Sequence, residues 1–229
     1  DLGGHSLLAT QVISRLRDAF GVEIPLSYLF ESPTIAKFSE RVETAMKLGR
    51  GREAPPIEPV SQQGYLPLSF GQQRLWLLSQ LEPNNPFYNL PAAVRLTGLL
   101  DVAALEQSLN RIVQRHAALR TKFVTVDGQG FQVIDPVLNL SLPVVDLRSH
   151  PTREAQVQKL ARQEANRPFN LDRDPLLRVM LLQVGDTEHV LLLTMHHIIS
   201  DAWSMGILVR ELAALYQTFT TGESSPLPD

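Results

Sequence analysis

The sequence predicts a mixed α/β (α+β) fold, in which a sheet with antiparallel strand pairs is covered by helices and preceded by a short all-helical region. Three observations support this prediction. From Tyr65 onward, stretches with helical periodicity alternate with stretches of strand-like apolar residues. Short turns rich in Gly and Asp join neighbouring strand signals, which is typical of antiparallel hairpins. Residues 1–46 carry only helical patterns, so we assign them to a separate all-α region.

The N-terminal region is predicted to form three short helices. The first carries an apolar stripe at i, i+4 spacing, made by Leu8, Val12, Leu16 and Phe20. Gly21 ends this helix, and residues 25–30 can form a short helix or turn. Ser32 is predicted to cap a third helix with Pro33 at its first position. Three such helices bury little apolar surface, so we expect a further helix upstream of Asp1.

A polar stretch separates the two regions. Residues 49–64 contain three glycines and three prolines in sixteen positions, which is typical of an extended linker. We therefore predict a helical domain at 1–46, a linker at 47–64 and an α/β domain at 65–229. The closing residues, TTGESSPLPD, again have the composition of a linker.

The elements of the α/β domain follow from capping residues, turns and periodicity. Ser69 and Asp101 precede amphipathic runs and are predicted N-caps of two helices, the first of which extends to Leu81. The stretch 127–130, DGQG, is a hairpin turn signal, and a Gly-Asp pair at 185–186 joins the last two strands. Predicted strands cover residues 86–97, 120–126, 131–134, 176–184 and 189–196, and further helices cover 152–166 and 205–219.

Composition excludes several classes of protein. The formal net charge of −3 gives no electrostatic footprint for nucleic acid or an anionic membrane. The absence of cysteine excludes a disulfide framework and thiolate chemistry, and it fits a reducing compartment. No apolar run approaches the roughly 18 residues that are needed to span a bilayer. Because the chain begins on Asp1, without methionine or a signal peptide, we expect a cytoplasmic piece of a longer protein.

The most unusual stretch is LLLTMHHIISDAWS at residues 191–204, in which an apolar strand runs into His196 and His197, and Asp201 follows. Successive strand residues point to opposite faces, so the two imidazoles cannot both enter one site while the strand continues. We expect one to face the core and the other to face a cleft beyond the strand end. This separation argues against a metal site, because one histidine with Asp201 leaves no third ligand in view.

Two interpretations of these residues remain open from the pattern alone. A neutral imidazole at a strand end is suited to act as a general base near neutral pH, and Asp201 can orient the ring or pair with an arginine. In the structural alternative, the histidines merely end the strand and Asp201 caps the helix that contains residues 205–219. Neither interpretation is favoured by this pattern on its own.

Three motifs in a fixed order bear on this choice. They are SFGQQRLWL at 69–77, RHAALRTKF at 115–123 and MHHIISDAW at 195–203. Together they resemble the first three core motifs of condensation domains from nonribosomal peptide synthetases, which read approximately S-x-x-Q-x-R-L-W, R-H-E-x-L-R-T-x-F and M-H-H-x-x-x-D-G-W. The resemblance implies a chloramphenicol acetyltransferase-like lobe, in which the second histidine of the pair lines a tunnel where an acceptor amine attacks a thioester.

Carried over by position, the resemblance makes His197 the tunnel histidine and His196 its structural neighbour. The third candidate catalytic residue, Asp201, is expected to act as a salt-bridge partner that stabilises the site. Arg115 and Arg120 are the candidate cations, because a buried carboxylate needs a paired cation. The sequence does not choose between the two arginines, and the alternative is that both are surface residues at a helix end.

The motifs also depart from the family pattern at two positions. Ala117 replaces the glutamate of the second motif, which we expect to matter little. Ala202 replaces the glycine that follows Asp201 in the third motif. If this position requires a positive φ, alanine carries strain of about 1 kcal/mol, and its methyl group can also crowd the tunnel.

The first residues, DLGGHSLL, place Ser6 just before the first predicted helix, where its structural role is an N-cap. With FESPTI at 30–35, this stretch resembles a peptidyl carrier protein over residues 1 to about 42, without the first helix of that family. The resemblance implies that Ser6 carries a covalent 4′-phosphopantetheine arm. A helix N-terminus fits that role, because its N–H groups and dipole favour an anion.

The combined resemblance implies a donor carrier upstream of the first lobe of a condensation domain. The donor thioester on Ser6 is expected to be attacked by the amine of an acceptor aminoacyl thioester, which forms a peptide bond. Implied partners are a phosphopantetheinyl transferase, an upstream adenylation domain and a downstream acceptor carrier protein. Because only one of two lobes is present, we expect little catalysis by the chain alone. An epimerisation domain, which shares the His-His-x-x-x-Asp signature, and a non-catalytic docking module are the alternatives.

Overall fold

The chain divides into two compact units, residues 1–60 and 61–229, and each has its own apolar core. The computed structural model describes residues 6–22, 24–47, 58 and 61–227, with only the backbone given for Ser6 and Leu7. Residues 1–5 and most of the predicted linker at 47–64 lie outside the described residues.

Within the residues of the first unit that the structure describes, there are three helices, α1 (Ser6–Phe20), α2 (Ser27–Glu31) and α3 (Ile35–Lys47). Gly21 ends α1 with φ of 63°, a left-handed conformation that glycine adopts without steric cost. The unit is held together by a small buried cluster made by Ile13, Val22, Ile24 and Val42.

The third helix begins later than the sequence predicts. Helix α3 starts at Ile35, and the Thr34 hydroxyl accepts a hydrogen bond from the N–H of Lys37 at 3.4 Å. The prediction that Ser32 caps this helix is wrong, because Ser32 directly follows α2 and its hydroxyl accepts a hydrogen bond from Arg41 Nε at 3.0 Å.

The second unit contains two sheets and four α-helices within its described residues. The helices are α4 (Phe70–Leu81), α5 (Val102–Arg115), α6 (Arg153–Asn166) and α7 (Ala202–Thr221). The strands are β1 (Leu66–Pro67), β2 (Asn89–Thr97), β3 (Thr121–Val126), β4 (Gln129–Ile134), β5 (Val144–Asp146), β6 (Leu177–Gly185) and β7 (Glu188–His196). The larger sheet has the order β2-β7-β6-β5, and the smaller has the order β1-β4-β3. No helix in the described part of the chain is long and apolar enough to cross a bilayer.

Local signals explain most of these elements. Ser69 forms a capping box with Gln72 at the start of α4, and the Asp101 carboxylate accepts the N–H of Ala104 at 2.9 Å at the start of α5. The hairpin between β3 and β4 turns on two residues with positive φ, Asp127 at 50° and Gly128 at 76°. The turn is therefore shorter than the four residues that the sequence predicts, and β4 starts two residues earlier.

Three further features differ from the prediction. Residues 86–88 form a 3₁₀ turn before β2, so the extended segment starts at Asn89. Helix α7 starts at Ala202, three residues before the predicted start. The short strand β5 was not predicted, since three residues carry too little periodicity; it pairs in parallel with β6.

The central strand β7 is buried on both faces, which explains its unbroken apolar sequence. Leu191, Leu193 and Met195 belong to the core that contains the buried faces of α5 and α7. Val190 and Leu192 alternate with them and pack in a second cluster that contains Val157 of α6. His196 continues the even-numbered series, so the strand directs it towards the α6 side of the sheet.

Candidate functional site

The two adjacent histidines separate at the end of β7. His196 is the last strand residue, in register opposite Asn89 of β2, and its side chain is only 5% exposed. His197 is exposed, and its backbone N–H donates to the carbonyl oxygen of Tyr88 at 2.8 Å. His197 is therefore the more accessible of the two imidazoles to molecules in solution.

The ring of His196 is enclosed by other side chains. Its Nδ1 accepts the backbone N–H of Ile198 at 3.2 Å, and its ring centre lies 6.3 Å from that of Tyr88 and 6.0 Å from that of Phe169. Burial, followed by the nearby charge of His197, lowers the pKa of His196 to about 4. The ring is thus neutral at pH 7. It borders a cavity of about 620 Å³ beside Tyr88 and Phe169.

The ring of His197 is held by the turn that follows it. Its Nδ1 lies 2.6 Å from the backbone carbonyl oxygen of Ser200. A carbonyl oxygen only accepts, so in the neutral ring Nδ1 must carry the proton and Nε2 keeps its lone pair. The turn therefore selects the tautomer whose free nitrogen is a hydrogen-bond acceptor or base.

His197 borders a cavity of about 400 Å³ that brings the first and third sequence motifs together. The start of α4 contributes Ser69, Gln72 and Leu75. Residues 197–201, which we call the His turn, contribute Asp201, and the first turn of α7 contributes Ser204. A smaller neighbouring cavity of about 130 Å³ is bordered by His116 and Leu119 of the second motif. Ser200 and Ser204 line both cavities, so all three motifs meet around one turn.

Asp201 is the N-cap of α7. Its Oδ1 accepts two hydrogen bonds from Ser204, from the backbone N–H at 2.8 Å and from the hydroxyl at 2.7 Å. These two bonds lower the pKa of the Asp201 carboxyl. The expectation of a salt bridge is wrong, because Asp201 makes no ion pair with an arginine within the described part of the chain. The helix N-terminus supplies the positive potential instead.

The two candidate arginines have other contacts. Arg115 Nε lies 3.5 Å from a carboxylate oxygen of Glu211 in α7, and His116 Nε2 lies 2.7 Å from the same oxygen. Arg120 donates to the backbone carbonyls of Val113, Asp135 and Pro136. Arg115 thus links α5 to α7, the helix capped by Asp201, whereas Arg120 fixes the chain that follows β4.

The alanine that replaces the family glycine is not strained. Ala202 is the first residue of α7, and among the described non-glycine residues only Asn84 and Asp127 have positive φ. The expected strain at Ala202 is therefore absent, since helical φ suits alanine. Its side chain is exposed, so the methyl group crowds no neighbour in this unit.

Ser6 opens the 15-residue helix α1 rather than preceding it, and the position before it, His5, lies outside the described residues. The first turn of α1 contains no Asp or Glu, so no side-chain charge there opposes an attached phosphate. The helix terminus therefore fits a phosphodiester on Ser6. In the described residues, no three His, Asp or Glu side chains cluster as a metal ion would require.

The sequence did not indicate the groups that hold His197. They are the backbone carbonyls of Ser200 and Tyr88, one on the ring and one on the main-chain N–H. Carbonyl groups are common to all residues, so no residue type signals them. The tight turn between two motif positions, His197 and Asp201, is the only pattern that could have suggested the first contact.

Comparison with known proteins is consistent with this geometry. Residues 62–229 match the condensation domain family, and residues 1–42 match the phosphopantetheine attachment site. The chain is 45% identical to malpinin synthetase of Mortierella alpina, over 99% of the chain and 3% of that protein. It is 38% identical to the phosphinothricin tripeptide synthetase PhsB of Streptomyces viridochromogenes, over 99% of the chain and 19% of that protein. The chain thus spans a small part of these relatives.

Solved structures show the same fold. The starter condensation domain of the rhizomide synthetase RzmA is similar with a TM-score of 0.69 and 27% identity, over 73% of this chain and 41% of that one. The first condensation domain of the calcium-dependent antibiotic synthetase, in complex with substrate analogue 2a, gives a TM-score of 0.67 and 26% identity, over 73% and 40%. The predicted chloramphenicol acetyltransferase-like fold is confirmed. The chain therefore belongs to the condensation domain family of nonribosomal peptide synthetases, with the phosphopantetheine attachment site of a carrier domain ahead of it.

Proposed function

We propose that the second unit takes part in peptide bond formation between two thioester-bound substrates, with His197 as the residue that meets the acceptor amine. In this reaction the amine nitrogen attacks the donor thioester carbonyl carbon, a C–N bond forms, the C–S bond breaks, and the amine proton balances the released thiolate. The observation that supports the proposal is the Nδ1 contact of His197 with Ser200, which leaves Nε2 as the acceptor on a ring that borders an open cavity.

The free Nε2 of His197 suits one role better than others. As an acceptor, it can take a hydrogen bond from the amine N–H and so direct the nitrogen lone pair at the thioester carbonyl. Stabilising a developing oxyanion would require a proton on Nε2, which the neutral tautomer does not have. Thioesters are reactive acyl donors, so holding the amine in position supplies much of the rate enhancement.

The other site residues support His197. His196 is a buried neutral ring that contacts Tyr88 and Phe169 at the end of β7, and Asp201 fixes the start of α7, where the turn that begins at His197 ends. Arg115 ties α5 to the same helix through Glu211. Arg120 anchors the residues after β4 through three backbone carbonyls. None of the four needs to contact substrate for these roles.

Ser6 is the residue that we propose for attachment of 4′-phosphopantetheine by a phosphopantetheinyl transferase. When attached, this group supplies the thiol that holds the donor as a thioester. The positive end of the α1 dipole then neutralises part of the phosphodiester charge. An adenylation domain is the proposed source of the activated donor, and a further carrier protein is the proposed source of the acceptor.

Replacing His197 by alanine in the intact synthetase tests the central role. Because the chain spans 41% of the solved RzmA domain, the assay belongs in the longer protein, with amide formation measured in a single turnover. His197→Ala is expected to lower the rate at least tenfold, because the acceptor amine loses the hydrogen bond that orients it. His150→Ala, at an exposed histidine outside both cavities, is the matched control and keeps the rate. An unchanged rate in His197→Ala refutes the proposal.

Loading of the carrier is tested separately. Incubation with a phosphopantetheinyl transferase and coenzyme A should add the mass of one phosphopantetheine to the chain, and Ser6→Ala should abolish the gain. Ser14→Ala, on the exposed face of the same helix, should keep it. A mass gain that persists in Ser6→Ala refutes the assignment.

The alternatives give different products. An epimerisation domain inverts the donor α-carbon without an acceptor, so chiral analysis of the released donor distinguishes it from a condensation domain. A docking module leaves the loaded donor unchanged in the presence of the acceptor. Formation of the amide with retained donor configuration is the outcome that our proposal requires.

A further inference from the structure

Asn89 occupies an unusual position beside the histidine pair. It is the first residue of β2, only 9% exposed, and it stands in register opposite His196. Its side-chain Nδ2 donates to two carbonyl oxygens at the end of α6, that of Ala165 at 2.7 Å and that of Arg167 at 2.9 Å. Its Oδ1 is buried without a hydrogen-bond partner among the described residues. An unsatisfied buried acceptor costs free energy, so the two hydrogen bonds that Nδ2 donates have to offset this cost.

The residue before Asn89 holds the main chain of His197. The carbonyl oxygen of Tyr88 accepts the N–H of His197 at 2.8 Å, one step beyond the last strand pair. Strand β2 lies at the edge of its sheet, and a 3₁₀ turn at 86–88 precedes it. The start of β2 therefore has a strand on one side only, and its position depends on what else anchors it.

The end of α6 is a firm anchor. Arg178 of β6 donates to the carbonyls of Glu164, Arg167 and Pro168, and its Nε lies 3.1 Å from the Glu164 carboxylate. Its guanidinium also stacks on Phe169, with Cζ 3.7 Å from the ring centre. One of the two carbonyls that Asn89 binds, that of Arg167, and the neighbouring carbonyls of Glu164 and Pro168 are thus tied to a central strand of the sheet by a second set of bonds.

We propose that Asn89 is a positioning residue for His197: its amide ties the start of β2 to the end of α6 and so fixes the Tyr88 carbonyl that holds the His197 backbone. Only an amide of this length supplies two N–H donors at that point. Aspartate has no donors and alanine leaves both carbonyls without this partner. The importance of Asn89 for catalysis rests on the proposed role of His197, whereas its effect on the position of His197 does not.

Asn110 provides a matched control. Its Nδ2 also joins two carbonyls, that of Glu106 at 3.0 Å and that of Leu140 at 2.9 Å, and its Oδ1 accepts the N–H of Leu140 at 2.8 Å. It is part-buried and lines neither of the two cavities at the His turn. Asn110→Ala removes a comparable cross-link without a route to His197.

The experiment compares Asn89→Ala and Asn110→Ala in the full chain, with amide hydrogen exchange and side-chain ¹⁵N spectra of His197 as readouts. Asn89→Ala is expected to speed exchange of the His197 amide by about tenfold, the effect of weakening one hydrogen bond, and to shift its imidazole resonances. Asn110→Ala is expected to lower the unfolding temperature similarly and to leave both signals of His197 unchanged.

Two results would overturn the proposal. One is that the exchange rate of the His197 amide and its imidazole resonances stay unchanged in Asn89→Ala. The other is that both readouts change in Asn110→Ala as much as they do in Asn89→Ala. If Asn89→Ala does not fold, Asn89→Ser, which keeps one donor, takes its place. It should change the His197 exchange rate and resonances in the same direction but by less. Unchanged His197 signals in Asn89→Ser would also refute the proposal. Because these readouts require no substrate, they remain informative even if His197→Ala proves fully active in the synthetase.

Discussion

Asp201 offers a sharp test, because the cap and the salt bridge predict different results for one substitution. As an N-cap, the carboxylate is replaceable by any side chain with an acceptor oxygen at the same place. Asparagine is as good an N-cap as aspartate, whereas alanine is a poor one. As half of a buried ion pair, the carboxylate would be irreplaceable, and asparagine would leave an arginine unpaired.

The structure sets the expected magnitudes. Asp201→Ala removes both Ser204 hydrogen bonds and the charge at the helix N-terminus, which should cost about 1–2 kcal/mol. Asp201→Asn keeps the acceptor and loses the charge, which should cost about 0.3–1 kcal/mol. For a unit of this size, these losses lower the unfolding temperature by about 2–4 °C per kcal/mol.

Tryptophan fluorescence is the assay, because the only two tryptophans, Trp76 and Trp203, both lie in the second unit. Urea unfolding followed in this way reports that unit without a signal from the first. A loss of about 3–5 kcal/mol in Asp201→Asn, equal to or above that in Asp201→Ala, would refute the capping role in favour of an ion pair.

The pH dependence gives a second check on the same residue. The Ser204 hydrogen bonds lower the pKa of Asp201 in the folded state, so its stabilisation is fully present above the unfolded pKa of about 3.9. That stabilisation is lost as the pH falls through the folded pKa. The difference in unfolding free energy between wild type and Asp201→Asn should therefore shrink below about pH 4.

Two further predictions concern packing and burial. A Cβ at Gly130 would lie 2.7 Å from Trp76 Cδ2, so Gly130→Ala should lower the unfolding free energy by about 1–3 kcal/mol. Gly206 lies in helix α7 with space for a methyl group, so Gly206→Ala should raise the unfolding free energy by up to about 1 kcal/mol. Equal unfolding temperatures for the two variants would contradict this. The lowered pKa of His196, about 4, should reduce the unfolding free energy by on the order of 3 kcal/mol between pH 7 and pH 4. His196→Asn should flatten this slope, and a slope as steep as that of wild type would show that other groups cause it.

Features with a local cause could be predicted from the sequence. The N-cap at Ser69 depends on the residue type directly before an amphipathic run, and the hairpin at Asp127 and Gly128 depends on adjacent residues that tolerate positive φ. The separation of the two imidazoles follows from strand alternation alone. These predictions required no knowledge of which elements pack together.

Features that depend on distant partners could not be predicted. Asn89 and its carbonyl partner at Ala165 are 76 positions apart, and nothing in the intervening sequence indicates their contact. The choice between cap and ion pair for Asp201 depended on where α7 begins, and element boundaries are the weakest part of any prediction by pattern. The parallel pairing of the three-residue strand β5 is a third example.

The contact between His197 and the Ser200 carbonyl also has a consequence for mutational tolerance. The ring is oriented by a main-chain atom, so the identity of the side chain at position 200 does not set the tautomer. The site should accept replacement of Ser200 by another small residue, provided the turn keeps its path. For engineering of this enzyme family, the backbone path of residues 197–200 should therefore be preserved together with the His197 side chain when the surrounding cavity is redesigned.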